Sequence, residues 1–312
     1  MNSKIAVLIP CYNEEKTIGK VINDYKKCLP DANIYVYDNN STDDTVKNAK
    51  KAGAIIKYEY RQGKGNVIRT MFKEIDADCY LIVDGDDTYS ASNAKEMCNL
   101  ILDGKADMVV GDRLSGSYFD ENKRLFHNFG NKLVRNLINK IFKTNINDIM
   151  TGYRAFSYEF VKGFPILSKG FEIETEMTVH AVDKNFKIVE IPILYQNRPS
   201  GSFSKLNTYS DGIKVLKTIV TLFKEYRPTL FFNIISAIFF LIGLIIGFFP
   251  ITDYFKTGLV AKFPSLIVSC FCFTISLLLL VTGIILQVIV KKEKQRYELH
   301  LIQINMLKNK KK

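Results

Sequence analysis

Two stretches of this 312-residue chain, 229–252 and 263–290, contain no charged residue at all. Each exceeds the roughly 20 apolar residues that cross a hydrocarbon core, so two transmembrane helices are expected. The other reading, a pair of buried core helices, suits such long uncharged runs poorly. The six cysteines (Cys11, Cys28, Cys79, Cys98, Cys270, Cys272) form no CxxC pair. That excludes a zinc site of that spacing and a disulfide scaffold, and fits a reducing compartment. His127, His180 and His300 stand in no metal-ligand or triad arrangement. No GxGxxG follows the first apolar run, and Gly63-Lys64-Gly65-Asn66 lacks P-loop spacing, which removes the kinase-like and dehydrogenase readings. The first ten residues have no basic region and no cleavage-site pattern, so they read as a strand and not as a signal peptide.

What the chain does have is positive charge, 43 Lys and Arg against 32 Asp and Glu, a net +11. Lys214, Lys217, Lys224 and Arg227 precede the first span, and Lys291, Lys292, Lys294 and Arg296 follow the second. The loop between carries only Lys256 and Lys262 against Asp253. By the positive-inside rule, both termini and the soluble part are expected on the cytoplasmic face of the cell membrane, with the hairpin loop outside. The closing Lys308, Lys310, Lys311 and Lys312 suit an anionic leaflet better than nucleic acid, because they adjoin a membrane span. The expected organisation is a catalytic domain over 1–206, a juxtamembrane amphipathic helix over 207–228, spans at 229–251 and 263–290 joined by an external loop at 252–262, and a basic cytoplasmic tail over 291–312. In the juxtamembrane helix Ile213, Leu216, Ile219, Val220 and Phe223 mark one face, with Lys214, Lys217 and Lys224 away from it. Packing of that face on the catalytic domain is the alternative.

Before the spans, buried-strand patterns at Ile5 to Ile9, Ile34 to Asp38, Ala54 to Tyr58, Tyr80 to Asp84 and Met108 to Gly111 alternate with helix-period segments. Ile18, Val21, Ile22 and Tyr25 recur at three-four spacing, and Ser41 with Asp43 and Asp44 looks like a capped helix start. Such a βαβ succession predicts an α/β fold with a doubly wound, mainly parallel sheet. Ligands of these sheets bind beyond the carboxyl ends of the strands. There the sequence is polar: Pro10, Tyr12, Asn13 and Glu14 after the first strand, Asp38, Asn39 and Asn40 after the second, Asp84, Asp86 and Asp87 after the fourth, Asp112 and Arg113 after the fifth.

Carboxylates at the mouth of the apolar run Leu81-Ile82-Val83 would be costly without a compensating cation. Hard oxygen ligands with no histidine or thiolate nearby suit Mg²⁺ or Mn²⁺, held by Asp84 and Asp86 and shared with a diphosphate. Lys64 can reach a phosphate or a base, or be a solvated surface charge.

Taken in order, Ile9-Pro10-Cys11-Tyr12-Asn13-Glu14-Glu15, Asp38-Asn39-Asn40-Ser41-Thr42-Asp43, Gly63-Lys64-Gly65 and Asp84-Gly85-Asp86 resemble the inverting family-2 glycosyltransferases of GT-A fold. Asp148 with Thr151-Gly152-Tyr153-Arg154 resembles the D…GFR element of their polyprenyl-phosphate branch. Arg198 with Gly201, Ser204 and Lys205 resembles that branch's R-x-x-G-x-S-K signature with one residue inserted. The resemblance implies that Pro10, Tyr12, Glu14 and Asp38 hold the nucleoside, that Asp84 helps hold nucleotide and metal, and that Asp86 is a metal ligand. It also implies that Arg113, Arg124, Arg198 and Lys205 meet phosphates. Glu174 and Glu176 match the acidic segment that supplies a base in relatives acting on hydroxyls; ordinary helix-start acids are the alternative. Two departures bear on the donor: Thr88 stands where the mannose synthases of the branch have a metal-binding Gln, and Asn39-Asn40 replaces the commoner Asp-Gly.

The activity implied is transfer of a hexose or N-acetylhexosamine from a nucleotide-sugar, UDP favoured, to undecaprenyl phosphate or a similar carrier, for cell-envelope glycan synthesis or modification. Membrane lipids are the expected surroundings, nucleic acid is not a partner, and self-association stays open. Transfer to a lipid-linked sugar hydroxyl is a second reading, and a non-catalytic membrane scaffold or flippase subunit with a transferase fold is a third. A processive synthase would carry a Q-x-x-R-W motif, and this chain has no tryptophan.

Overall fold

The structure is a computed structural model that describes residues 4–115, 125–196, 208–260 and 262–311. It divides into two units, Met1–Ile219 with His300–Lys312, and Val220–Leu299.

In the first unit β1 (Ile5–Cys11), β2 (Asn33–Asp38), β3 (Ile55–Tyr58), β4 (Cys79–Ile82), β5 (Met108–Asp112), β6 (Arg154–Ser157) and β7 (Ile188–Pro192) form one sheet in the order β3-β2-β1-β4-β6-β5-β7. All neighbours are parallel except β6, which runs antiparallel between β4 and β5. The expected α/β doubly wound, mainly parallel sheet is therefore present, in mixed form. Alternate residues of β1 face opposite ways, so Val7, Ile9 and Cys11 join one buried cluster while Ala6 and Leu8 join the other. Both faces must then be covered. Helices α1 (Ile18–Cys28), α2 (Thr45–Lys51) and α4 (Ala94–Leu102) contribute to the first cluster, and α3 (Lys64–Glu74), α6 (Tyr158–Gly163) and α7 (Ile173–Asp183) to the second. Helix α5 (Leu125–Phe142) separates β5 from β6 in the chain.

The start of α2 differs in detail from its sequence pattern. Asp44 occupies the cap position without a side-chain bond. Asp43 Oδ1 instead accepts the Thr45 amide at 3.0 Å, and Ser41 Oγ is turned toward the β1 loop, where it accepts the Asn13 amide at 2.9 Å. The sequence places three capping residues there; the fold uses them to tie two loops together.

Helix α8 (Thr208–Tyr226) buries Ile219 and Leu222 but leaves Ile213, Leu216 and Val220 exposed. The second unit holds the last turns of α8, helix α9 (Pro228–Thr257) and the greater part of α10 (Phe263–Lys311). Pro228 opens α9, where its missing N–H costs nothing, and Gly258 at φ +71° closes it in a left-handed turn. Both helices are long and apolar enough to cross a membrane, and in their most apolar windows only 22% and 11% of the residues are buried. Helices of a soluble core would be mostly buried. Small residues join the pair: Gly243 lies against Cys272 and Phe273, Ser236 Oγ donates to the Ser276 carbonyl at 2.8 Å, and Ser269 Oγ donates to the Gly243 carbonyl at 2.7 Å.

Candidate active site

The site lies at the carboxyl ends of β1, β2 and β4. Asn13, Asn40 and Asp87, one just beyond each of these strands, have φ of +53°, +66° and +60°. Asn and Asp are the non-glycine residues that tolerate this left-handed conformation best, which explains how Asn40 can replace a glycine. The three turns bring the loops against one another. The Glu14 amide donates to Thr45 Oγ1 at 2.7 Å, the Thr42 amide to Asn13 Oδ1 at 2.8 Å, and Thr17 Oγ1 to the Gly85 carbonyl at 2.7 Å. Asn39 reaches the third loop: its Nδ2 donates to the carbonyls of Glu59 and Arg61, and its Oδ1 accepts the Gly63 amide at 2.8 Å.

Within this frame Asp38 is 5% exposed; one oxygen accepts the Ser41 amide at 3.2 Å, and the other, Oδ1, is buried with no hydrogen-bond partner. A buried carboxylate oxygen left unpaired is costly unless a ligand supplies a donor. Tyr12, 37% exposed, follows β1, and Pro10 and Glu14 flank it in sequence.

The centre is a cation between two carboxylates. Lys64 Nζ lies 2.6 Å from Asp84 Oδ1 and 2.7 Å from Glu174 Oε1. Burial works against the lysine's charge, but Asp84 and Glu174 outweigh it and hold its pKa above the ordinary range. Burial likewise pushes Glu174 up, although Lys64 pulls it back. Gly152 makes the arrangement possible: a Cβ there would stand 2.6 Å from Asp84 Oδ2 and 2.8 Å from Lys64 Nζ. Tyr89 Oη accepts the Gly152 amide at 3.1 Å. Gly63, at φ +126°, and Gly65 pack directly on the carbonyls of Lys169 and Ser168, where no side chain would fit.

The three carboxylates after β4 have separate fates. Asp87 turns to α1 and pairs with Lys20 at 2.6 Å. Asp86 is 3% exposed, and its Oδ1 accepts the Thr88 hydroxyl at 2.6 Å, so Thr88 orients a carboxylate. Asp84 keeps a quarter of its side chain open. Asp84 and Asp86 are hard-oxygen groups of the kind Mg²⁺ or Mn²⁺ takes, one or two carboxylates with water and phosphate filling the shell. Among the described residues no cluster of three or more His, Cys, Asp or Glu is set to hold a metal by itself.

Other candidates are engaged elsewhere. Arg113 forms a buried fork with Asp148, Nε to Oδ2 at 2.7 Å and Nη2 to Oδ1 at 2.9 Å, and lies over the Tyr195 ring. Glu176 accepts the amides of Leu167 and Ser168 at 3.0 and 2.9 Å, which fixes the segment beneath Gly65. Arg154, 1% exposed, donates to the carbonyls of Thr151 and Ile149 and to Thr178 Oγ1. His180 lies among Phe160, Phe164 and Phe186, where burial lowers its pKa to about 3 and keeps it neutral. Arg124, Arg198 and Lys205 lie outside the described residues. Sequence reasoning missed Tyr89, which holds the Gly152 amide, and named Asn39 only as one of the polar strand exits without its role in tying loops together.

Comparisons with known proteins agree with this geometry. Residues 6–164 match the family model for glycosyl transferase family 2. Glycosyltransferase AglJ of Haloferax volcanii is 34% identical over 73% of this chain and 75% of its own length. The dolichyl-phosphate hexose transferase of the same organism is 27% identical over 72% of this chain and 95% of its own length. Among solved structures, glucosyl-3-phosphoglycerate synthase from Mycobacterium tuberculosis, in complex with Mn²⁺, UDP-glucose and phosphoglyceric acid, superposes with a TM-score of 0.58 at 21% identity, covering 71% of this chain and 80% of that one.

Proposed function

Because the chain belongs to glycosyl transferase family 2 and has its GT-A fold, we propose that it moves a hexose or N-acetylhexosamine from a nucleotide-sugar to a polyprenyl phosphate at the membrane. The observation that carries the donor half is the crevice at the ends of β1, β2 and β4, where Asp38 Oδ1 is a buried acceptor without a hydrogen-bond partner and the Lys64 ammonium is paired with Asp84. Asp38 Oδ1 suits a base that presents an N–H, as uracil, thymine and guanine all do, so the choice among UDP-, dTDP- and GDP-sugars rests on the assay below. Asp84 and Asp86 would hold a divalent ion, which, when bound, neutralises the leaving diphosphate.

The acceptor half is supported by the relative named a dolichyl-phosphate hexose transferase and by two apolar helices able to keep a lipid substrate close. Asp38, Lys64, Asp84 and Asp86 are the donor residues of this reading, with Pro10, Tyr12 and Glu14 beside them; Arg198 and Lys205 are the acceptor-phosphate residues. Purified protein given a panel of UDP-, GDP- and dTDP-sugars should release free nucleotide only when undecaprenyl phosphate is added. Release that needs a lipid-linked sugar in place of the lipid phosphate would transfer the assignment to the hydroxyl reading.

The two acceptors also differ in what they ask of the protein. A sugar hydroxyl must lose a proton as it attacks and gains from a general base. A phosphate monoester, with a second pKa of about 6, is already largely ionised near neutral pH and needs a cation to bring it up to an anionic donor. Glu174 holds Lys64 and Glu176 holds backbone amides, so each has a task other than proton transfer. Arg198→Ala is expected to cost about 10- to 150-fold in turnover, the worth of one charge-assisted hydrogen bond of roughly 1.5 to 3 kcal/mol. Glu176→Gln, which keeps one of the two acceptor oxygens that hold Leu167 and Ser168, should cost less. The reverse order, a dead Glu176→Gln beside a mild Arg198→Ala, would point to a hydroxyl acceptor.

The charge asymmetry around the spans supports a reading with the catalytic unit and both termini on the cytoplasmic side. A Thr257→Cys variant should then react with an impermeant thiol reagent applied to intact cells, and an Asn309→Cys variant should not. The opposite labelling would reverse the orientation.

A further inference from the structure

The last turns of α10 belong to the catalytic unit, and they are fixed there by three residues on one helical face. Ile304, 5% exposed, completes the buried cluster beneath the sheet, and Leu301 packs against the same cluster. One turn further, Lys308 Nζ pairs with Glu159 Oε1 at 2.9 Å and stands 5.4 Å above the Tyr158 ring centroid. Both partners lie in the first turn of α6, and the pair is three-quarters shielded from solvent, at 23% and 24% exposure.

Helix α6 is in turn fastened to the helix that begins with Lys64. Lys162 of α6 donates to the carbonyls of Phe72 and Ile75 at the end of α3, at 2.9 and 2.6 Å, and stands over the Tyr158 ring from its own helix. Beyond α6 the chain runs past Ile166, whose carbonyl accepts the Arg69 guanidinium, to Ser168 and Lys169, whose carbonyls floor the Gly63-Lys64-Gly65 turn. The Gly65 amide donates to the Lys169 carbonyl at 3.0 Å. A continuous series of packed and hydrogen-bonded contacts therefore leads from Lys308 to Lys64.

We propose that Lys308 is a positioning residue for the donor site: by clamping Glu159 and Tyr158 it fixes α6 and the 164–170 segment, and so the Lys64 ammonium. This rests on the reading of Lys64 as a donor-binding residue. The C-terminal segment is then part of the catalytic apparatus, and its basic residues do more than meet a charged leaflet.

The test uses the full-length protein in detergent with three variants: Lys308→Glu, Glu159→Lys and the double exchange. Each single variant should raise the KM for nucleotide-sugar roughly 3- to 30-fold, the range expected for coupling through a packed network, with kcat within about twofold. Amide hydrogen exchange over 158–170 should quicken in both. The double exchange should restore KM and exchange to within about twofold of the parent, a rescue that a merely structural loss of the tail would not give. Unchanged exchange in the single variants, or a KM unmoved by them while Lys64→Ala raises it, overturns the inference. If Lys64→Ala itself leaves KM unchanged, the donor-site reading of Lys64 is what fails, and the positioning of Lys64 matters to nothing the enzyme binds.

Discussion

Asp86→Ala is expected to lose about a thousandfold or more in transfer rate, and excess EDTA should abolish transfer by the parent protein. Both follow from the separate fates of the carboxylates after β4. Asp87 is committed to Lys20, Asp84 shares its charge with Lys64, and the buried Asp86 is the carboxylate read as the ligand of the ion. The Thr88 hydroxyl aims it. Metal-clamp stabilisation of a leaving phosphate is worth several kcal/mol, and about 4 kcal/mol is close to a thousandfold. Asp86→Asn separates charge from shape, because an amide oxygen still accepts the Thr88 hydroxyl while the charge is gone. It should be nearly as inactive as the alanine variant, with an unshifted thermal melt. Full activity in excess EDTA would exclude metal dependence.

Arg154→Ala should strongly destabilise the catalytic unit. The side chain is 1% exposed and bonds two carbonyls and a hydroxyl. Burial lowers its pKa to about 10, against the pull of the Glu174 and Asp148 carboxylates, so it remains protonated at neutral pH. Removing it leaves several buried acceptors unpaired at about 1–3 kcal/mol each and opens a cavity besides, so a loss of roughly 3–5 kcal/mol is expected. At about 2–4 °C per kcal/mol for a unit of this size, the melt should fall by roughly 6–20 °C. Arg154→Lys should recover little, since an ammonium cannot reproduce the fork that spans Ile149, Thr151 and Thr178. A melt lowered by less than about 2 °C would show that the 149–151 turn is held by other contacts. The turn matters to the site because it carries Gly152, against which the Lys64–Asp84 pair is packed.

Strands β1, β2, β4 and β5 were legible because parallel strands covered on both faces read as short, continuous apolar runs, and the largely exposed edge strand β3 was legible as a short β-rich run alone. Strand β6 was not. Its four residues begin with the buried Arg154, and its place between β4 and β5 depends on antiparallel pairing across a long stretch of chain that no local pattern encodes. The polar strand exits were equally legible as a group, yet the sequence could not say which acid met which base. Lys64 and Glu174 lie on different helices, and Arg113, expected at a phosphate, is forked on Asp148. Spacing along the chain carries no information about such pairs. The tail shows a different limit: its alternating apolar and basic residues suit a lipid surface and a protein surface equally well, and the seat for Ile304 exists only once α6 and α7 have folded.

The small-residue seam between α9 and α10 has a consequence for biogenesis. Ser236 and Ser269 spend their hydroxyls on the carbonyls of the opposite helix, and the glycine at 243 lets the backbones close on one another. The hairpin therefore meets its own polar needs, and in a lipid environment, where no water competes, such contacts favour insertion of the two helices as one folded unit. Such a hairpin would hold its two helices to one another whatever sugar the catalytic unit transfers.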